Sequence, residues 1–177
     1  MNDSTLPVIY LGVLVVLLSG TGWLLFRQVL KTRRIERTFS RLQNKLGKEK
    51  GTAQEYYELG GIYLEKRLYS QAINLFQKAL KSKDLQGAEN IAVICNALGF
   101  AYAAQEQYDL AIRYYKDSLD QTPDYVTALK NLGFAYEKKQ LTAQAIEVYD
   151  KVLDFDPKDS VAKKRSASLR KRLSDKS

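Results

Sequence analysis

Few residues of this chain stand out as able to do chemistry. They are one cysteine, Cys95, a carboxylate pair, Asp154 and Asp156, and two runs rich in Lys and Arg, and no histidine occurs in the 177 residues. Without His there can be no Ser-His-Asp or Cys-His arrangement and no metal site that needs an imidazole. Asp154 and Asp156 fall at an expected helix end with no base beside them, so general acid–base work lacks a second group. A lone cysteine forms no internal disulfide, which suits a reducing compartment. Its place among packing residues reads as buried and inert rather than redox-active. No Gly-rich phosphate loop occurs either. The expectation is a binding protein, not an enzyme, with no catalytic residue, metal or other cofactor.

The elements that would position binding residues come from a repeated motif. Leu59-Gly60-x-x-Tyr63, Leu98-Gly99-x-x-Tyr102 and Leu132-Gly133-x-x-Tyr136 are each followed by an Ala (Ala72, Ala111, Ala145) and then an aromatic (Phe76, Tyr115, Tyr149). The second and third copies are 34 residues apart, as are Pro123 and Pro157. This order and period resemble the tetratricopeptide (TPR) repeat, a pair of antiparallel helices that buries its apolar face only by stacking on neighbours. Helix A of the first repeat is expected near 53–66 and helix B near 69–81. Gly after Leu lets the two helices approach closely, with Ala on the facing side, which offsets the cost of about 1 kcal/mol of Gly inside a helix. Each Pro is expected to end a B helix and start the next helix. The first spacing, from Gly60 to Gly99, is 39 residues. The extra five imply a longer connection around Asp84-Leu85-Gln86-Gly87 or an extended A helix in the second repeat.

The N-terminus has a different character. Leu6 to Phe26, LPVIYLGVLVVLLSGTGWLLF, is 21 residues without a charge. At about 1.5 Å per residue that length spans a bilayer core. A cleaved signal peptide would want basic residues before the run and small residues at its end. Here the basic residues Arg27, Lys31, Arg33, Arg34, Arg37 and Arg41 follow it, and Trp23 sits near its end as an interfacial aromatic would. The pattern predicts a retained single span with the remainder on the cytoplasmic or stromal side. Ile35, Phe39, Leu42 and Leu46 share one face of a basic helix. That helix either contacts anionic lipid through the six basic residues or lays its apolar stripe on the first repeat.

The expected fold class is therefore all-α. A single transmembrane helix precedes a TPR solenoid of three helix-turn-helix repeats with a C-terminal capping helix. Residues 1–5 form a short translocated N-terminus, 6–26 the span, and 27–50 the basic juxtamembrane helix and hinge. Residues 51–157 carry repeats at about 53–86, 92–125 and 126–159, and 158–177 form the capping helix and basic tail. Charge follows this division. Residues 27–50 hold nine basic and two acidic groups, 51–157 hold 11 and 15, and 158–177 hold eight and two, which with Asp3 gives the net +8. The tail clusters Lys163-Lys164-Arg165 and Arg170-Lys171-Arg172 could meet phosphate, but a solvated face on the cap is the simpler reading, and no nucleic-acid partner is expected.

In a TPR stack the A helices line the concave groove. The groove positions give Tyr57 in the first repeat, Asn96 and Phe100 in the second, and Lys130 and Phe134 in the third, an aromatic groove with a few polar anchors for a peptide segment. The alternative is that Phe100 and Phe134 pack between neighbouring A helices. The Lys/Asn/Arg clamp that chaperone-binding TPR domains use for a terminal carboxylate is absent. Tyr57 and Gly61 stand where its first Lys and Asn would be, and Thr127 and Asn131 where Lys and Arg would be.

MNDSTLPVIYLGVLVVLLSG at the start and YYELGGIYLEKRLYSQAINLFQKAL in the first repeat, with the span-plus-repeats layout, resemble a particular family. It comprises the small thylakoid TPR proteins of cyanobacteria and algal plastids, the plastid reading-frame thirty-seven family associated with photosystem I assembly. The resemblance implies a thylakoid membrane protein with the repeats on the cytoplasmic or stromal side. It would hold photosystem I subunits or assembly factors as protein partners. A tethered receptor or co-chaperone, passing clients to a translocation or proteolysis machine, is the other reading.

Overall fold

A computed structural model describes residues 5–175, with side chains described for residues 10–30 and 32–175. Residues 1–4 of the expected N-terminus therefore lie outside the described residues, as does the side chain of Lys31. The described residues form eight helices joined by turns, with no strand among them. They form two compact units, one ending at Gly47 and one beginning at Lys48.

The first unit is α1, Thr5–Leu46, one uninterrupted helix of 42 residues. Every described side chain from Tyr10 to Leu30 is exposed. By length and composition α1 is long and apolar enough to cross a membrane. Two hydroxyls that would otherwise want water are satisfied within the helix. Thr21 donates to the Leu17 carbonyl at 2.9 Å and Thr32 to the Gln28 carbonyl at 3.0 Å. The stripe predicted at Ile35, Phe39, Leu42 and Leu46 is the less exposed face of the basic half, with Leu42 buried.

The second unit comprises α2 (Ala53–Glu65), α3 (Tyr69–Leu80), α4 (Ala88–Ala104), α5 (Tyr108–Gln121), α6 (Val126–Lys138), α7 (Thr142–Phe155) and α8 (Ser160–Ser174). Each helix packs on the next in the chain, and α4 also touches α2 and α6. α2 starts with a reciprocal cap. The Thr52 hydroxyl accepts from the Glu55 amide at 3.2 Å, and the Glu55 carboxylate accepts from the Thr52 amide at 3.1 Å. Two otherwise orphaned donors of the first turn are thereby paired. Within each repeat the chain reverses through a left-handed residue, Arg67, Glu106 or Gln140, with φ of 59°, 61° and 59°. The following amide reaches back to the carbonyl of the motif Tyr: Leu68 to Tyr63 at 2.9 Å, Gln107 to Tyr102 at 3.0 Å and Leu141 to Tyr136 at 2.9 Å. This is a Schellman closure. The Tyr of Leu-Gly-x-x-Tyr thus marks where helix A stops.

The close approach expected at each motif Gly occurs, and it is the helix B aromatic that fills the notch. A Cβ on Gly60, Gly99 or Gly133 would lie 2.6, 2.6 or 2.8 Å from the ring of Phe76, Tyr115 or Tyr149. Ala72, Ala111 and Ala145 are fully buried one turn earlier. The prolines end B helices but do not begin the next ones. Pro123 and Pro157 sit in turns two residues after α5 and α7, and α6 and α8 begin three residues later. Of the two ways to absorb the five extra residues, the structure uses both. α4 is 17 residues long against 13 for α2 and α6, and the turn before it passes through Gly87 at φ 85°. Asp84 on that turn accepts from the Ala53 amide at 3.1 Å and so also caps α2.

Candidate protein-binding groove

The A helices α2, α4 and α6 present equivalent faces, and α8 continues the series. Its N-cap, Asp159, accepts from the Ala162 amide at 2.8 Å and from Lys130 Nζ at 2.9 Å. These two contacts, the backbone amide first, hold the Asp159 carboxyl below its ordinary pKa. Lys130 is thus engaged with α8. Asn96 is engaged in the same way, its Oδ1 accepting from Asn131 Nδ2 at 2.9 Å and joining α4 to α6.

The aromatic positions differ from one another. Tyr57 is half-buried, with its ring 5.7 Å from that of Phe76 at 41°. Burial pushes its phenol pKa up, and Tyr125 adds to the shift. Phe100 and Phe134, 34 residues apart, remain 47 % and 38 % exposed. Both stand in contrast to the fully buried Phe76. Beside Phe134 stand two cations, Lys138 Nζ at 5.3 Å and Arg165 Cζ at 5.6 Å from the ring centroid. Arg165 was read in the sequence as tail charge. It also donates to both oxygens of Glu137, at 3.0 and 3.1 Å. Glu137 in turn accepts from the Tyr149 hydroxyl at 2.6 Å. The signal that could have found Arg165 is the period itself, since 165 lies one repeat after Asn131.

Nothing in this arrangement indicates catalysis. Cys95 is buried, and burial pushes its thiol pKa up to about 11, with Asp117 adding to the shift, so it stays protonated. Asp154 and Asp156 are exposed, and Asp156 accepts from the Lys158 amide at 3.1 Å. Among the described residues no three His, Cys, Asp or Glu side chains converge as metal ligands. Arg27, Arg33, Arg34, Arg37 and Arg41 are exposed along α1.

Helix pairs closed at a motif Tyr and stacked with their A helices along one face define a TPR protein-binding scaffold. The Tetratricopeptide repeat family matches residues 53–84 and 96–160. A Cyanophora paradoxa protein described as "Uncharacterized protein ycf37" is 42 % identical over 141 residues, covering 80 % of this chain and 81 % of its own. The chain belongs to the ycf37 family. The Arabidopsis thaliana chloroplastic TPR protein PYG7 is 32 % identical, over 97 % of this chain and 56 % of its own length. Among solved structures YrrB, described as a TPR protein with an unusual peptide-binding site, superposes with a TM-score of 0.68. It is 20 % identical, over 84 % of this chain and 74 % of its own, and supports the fold alone.

Proposed function

We propose that this chain is a membrane-anchored scaffold whose groove holds protein partners during assembly or stabilisation of photosystem I. In this reading residues 6–26 span the thylakoid membrane of a cyanobacterium or plastid. Residues 27–50 meet its anionic surface through Arg27, Lys31, Arg33, Arg34, Arg37 and Arg41, and the repeats face the cytoplasm or stroma. The observation that carries the binding reading is the pair Phe100 and Phe134, exposed at equivalent positions of adjacent A helices. The plastid ycf37 relatives and the chloroplastic PYG7 support the compartment. The unbroken apolar run of α1, exposed from Tyr10 onward and with the Thr21 hydroxyl paired within the helix, supports the anchor.

Two measurements test this. Deleting residues 1–26 is expected to move the protein from the alkali-resistant membrane pellet to the soluble fraction. Retention in the pellet would sink the anchor. Co-purification of the full chain in mild detergent is expected to bring down photosystem I subunits. Phe100→Ala with Phe134→Ala is expected to reduce that capture at least tenfold, about 1.4 kcal/mol, while helical content stays unchanged. Translocon or protease subunits in the bound fraction would favour the receptor reading instead. Loss of helicity would show that both rings are core residues.

A further inference from the structure

Two cavities lie side by side at the N-terminal ends of the A helices. The first, about 220 Å³, is walled by Tyr57, Asp84 and Val93 among others. The second, about 330 Å³, is walled by Glu89, Asp124 and Tyr125, and shares Val93 with the first. Each combines a tyrosine with one or two carboxylates, and no Lys or Arg lines either. Asp84, in the wall of the first, stands eight residues after Phe76, the place that Pro123 and Pro157 hold after Tyr115 and Tyr149. Both Asp84 oxygens face the Ala53 amide, at 3.1 and 3.3 Å, so the carboxylate is fixed in the cavity wall. An acidic group at a helix N-terminus is favoured by the helix dipole. That accounts for a carboxylate at each helix start, but not for a cavity beside it that lacks any counter-cation.

The chemistry selects the occupant. The volumes fall at or below the lower end of small-molecule sites, about 300 Å³, and suit single side chains. Leu85, Val93 and Ile94 offer apolar wall to a long stem. Carboxylate and phenol ring together attract a cation. We propose that the two sockets take two basic side chains of one extended partner segment, a reading that rests on the concave face being the partner-binding face. Neighbouring A helices pack about 10 Å apart, and an extended polyproline-II segment advances about 3.1 Å per residue with three residues per turn, so that every third side chain shares a face. The two basic residues therefore stand three positions apart.

The test uses the full chain in detergent micelles and three labelled dodecapeptides of Leu and Ser. They carry arginine, citrulline or glutamate at positions five and eight. Fluorescence anisotropy is expected to show arginine binding at least tenfold tighter than citrulline, its neutral isostere, with glutamate weakest. The arginine preference is expected to shrink as salt rises. Asp84→Asn with Asp124→Asn is expected to bring arginine down to the citrulline level; Asp84→Asn keeps an acceptor for the Ala53 amide. Equal binding of arginine and citrulline by the native chain, or binding of neither, overturns the proposal without any variant. If partner capture still depends on Phe100 and Phe134 in that case, the groove stands and only the sockets fall. If capture is also indifferent to those rings, the groove reading itself fails.

Discussion

Gly99→Ala destabilises the solenoid by about 2 kcal/mol, whereas Gly61→Ala stabilises it by about 1 kcal/mol. Both glycines lie inside A helices, so both gain the same helix propensity from a methyl group. They differ in what the methyl meets. At Gly61 nothing lies within 4 Å of the new Cβ. At Gly99 two carbons of the Tyr115 ring lie at 2.6 Å and a third at 3.1 Å. Tyr115 is 2 % exposed, so the ring cannot swing into solvent. It must retreat by about 1 Å in a core packed as densely as a crystal, at a cost near the upper end of the 1–3 kcal/mol range for overpacking. Thermal melts followed by circular dichroism read the result directly, with about 2–4 °C per kcal/mol for a chain of this size. Shifts of the same sign at both positions would refute the notch as the reason for the motif glycine.

Glu137→Ala is expected to cost about 2 kcal/mol and to concentrate its effect on α7 and α8. This carboxylate accepts from Tyr149 on α7 and twice from Arg165 on α8. Its side chain is 17 % exposed, whereas that of Arg165 is 41 % exposed. Arg165 can therefore recover water once released, and the ion pair alone is worth little. The Tyr149 hydroxyl sits on a ring that is 1 % exposed and recovers less. An unpaired buried donor accounts for most of the loss, about 1–3 kcal/mol. Burial, reinforced by the bond to Glu137, already pushes the Tyr149 phenol pKa well up, so the hydroxyl stays a donor. Hydrogen exchange is the decisive measurement. Amides of α7 and α8 should lose about 30-fold in protection, while α2 and α3 hardly change, because repeat stacks transmit stability mainly to neighbours. Uniform loss along the stack would show that Glu137 does not act as a local tie.

The stack was legible in the sequence because its determinants are periodic. Leu-Gly-x-x-Tyr, Ala and the helix B aromatic recur at fixed offsets, and each answers a packing need that one residue type meets. The first repeat's helices, expected near 53–66 and 69–81, run Ala53–Glu65 and Tyr69–Leu80. The ties between helices were not legible. Lys130 read as a groove anchor, yet it pairs with Asp159, 29 residues on, and no local pattern announces such a partner. Arg165 read as part of a basic tail because its cluster looks like solvated charge. Only its placement on α8 brings it to Glu137 and beside Phe134. The cavity beside Tyr57 was hidden for a related reason. It depends on a turn whose length was visible but whose path was not.

Among the described residues each helix of the stack leans mainly on its chain neighbours, and no comparable packing joins the last pair to the first. Opening can therefore begin at the free end and stop partway. If α8 and then α7 come loose, α6 loses its cover and the Phe134 end of the groove dissolves, while the pockets beside Tyr57 stay built. A bound segment would then be let go by peeling, end first, and the hold on a partner would be timed by the weakest helix rather than by the strength of the whole grip.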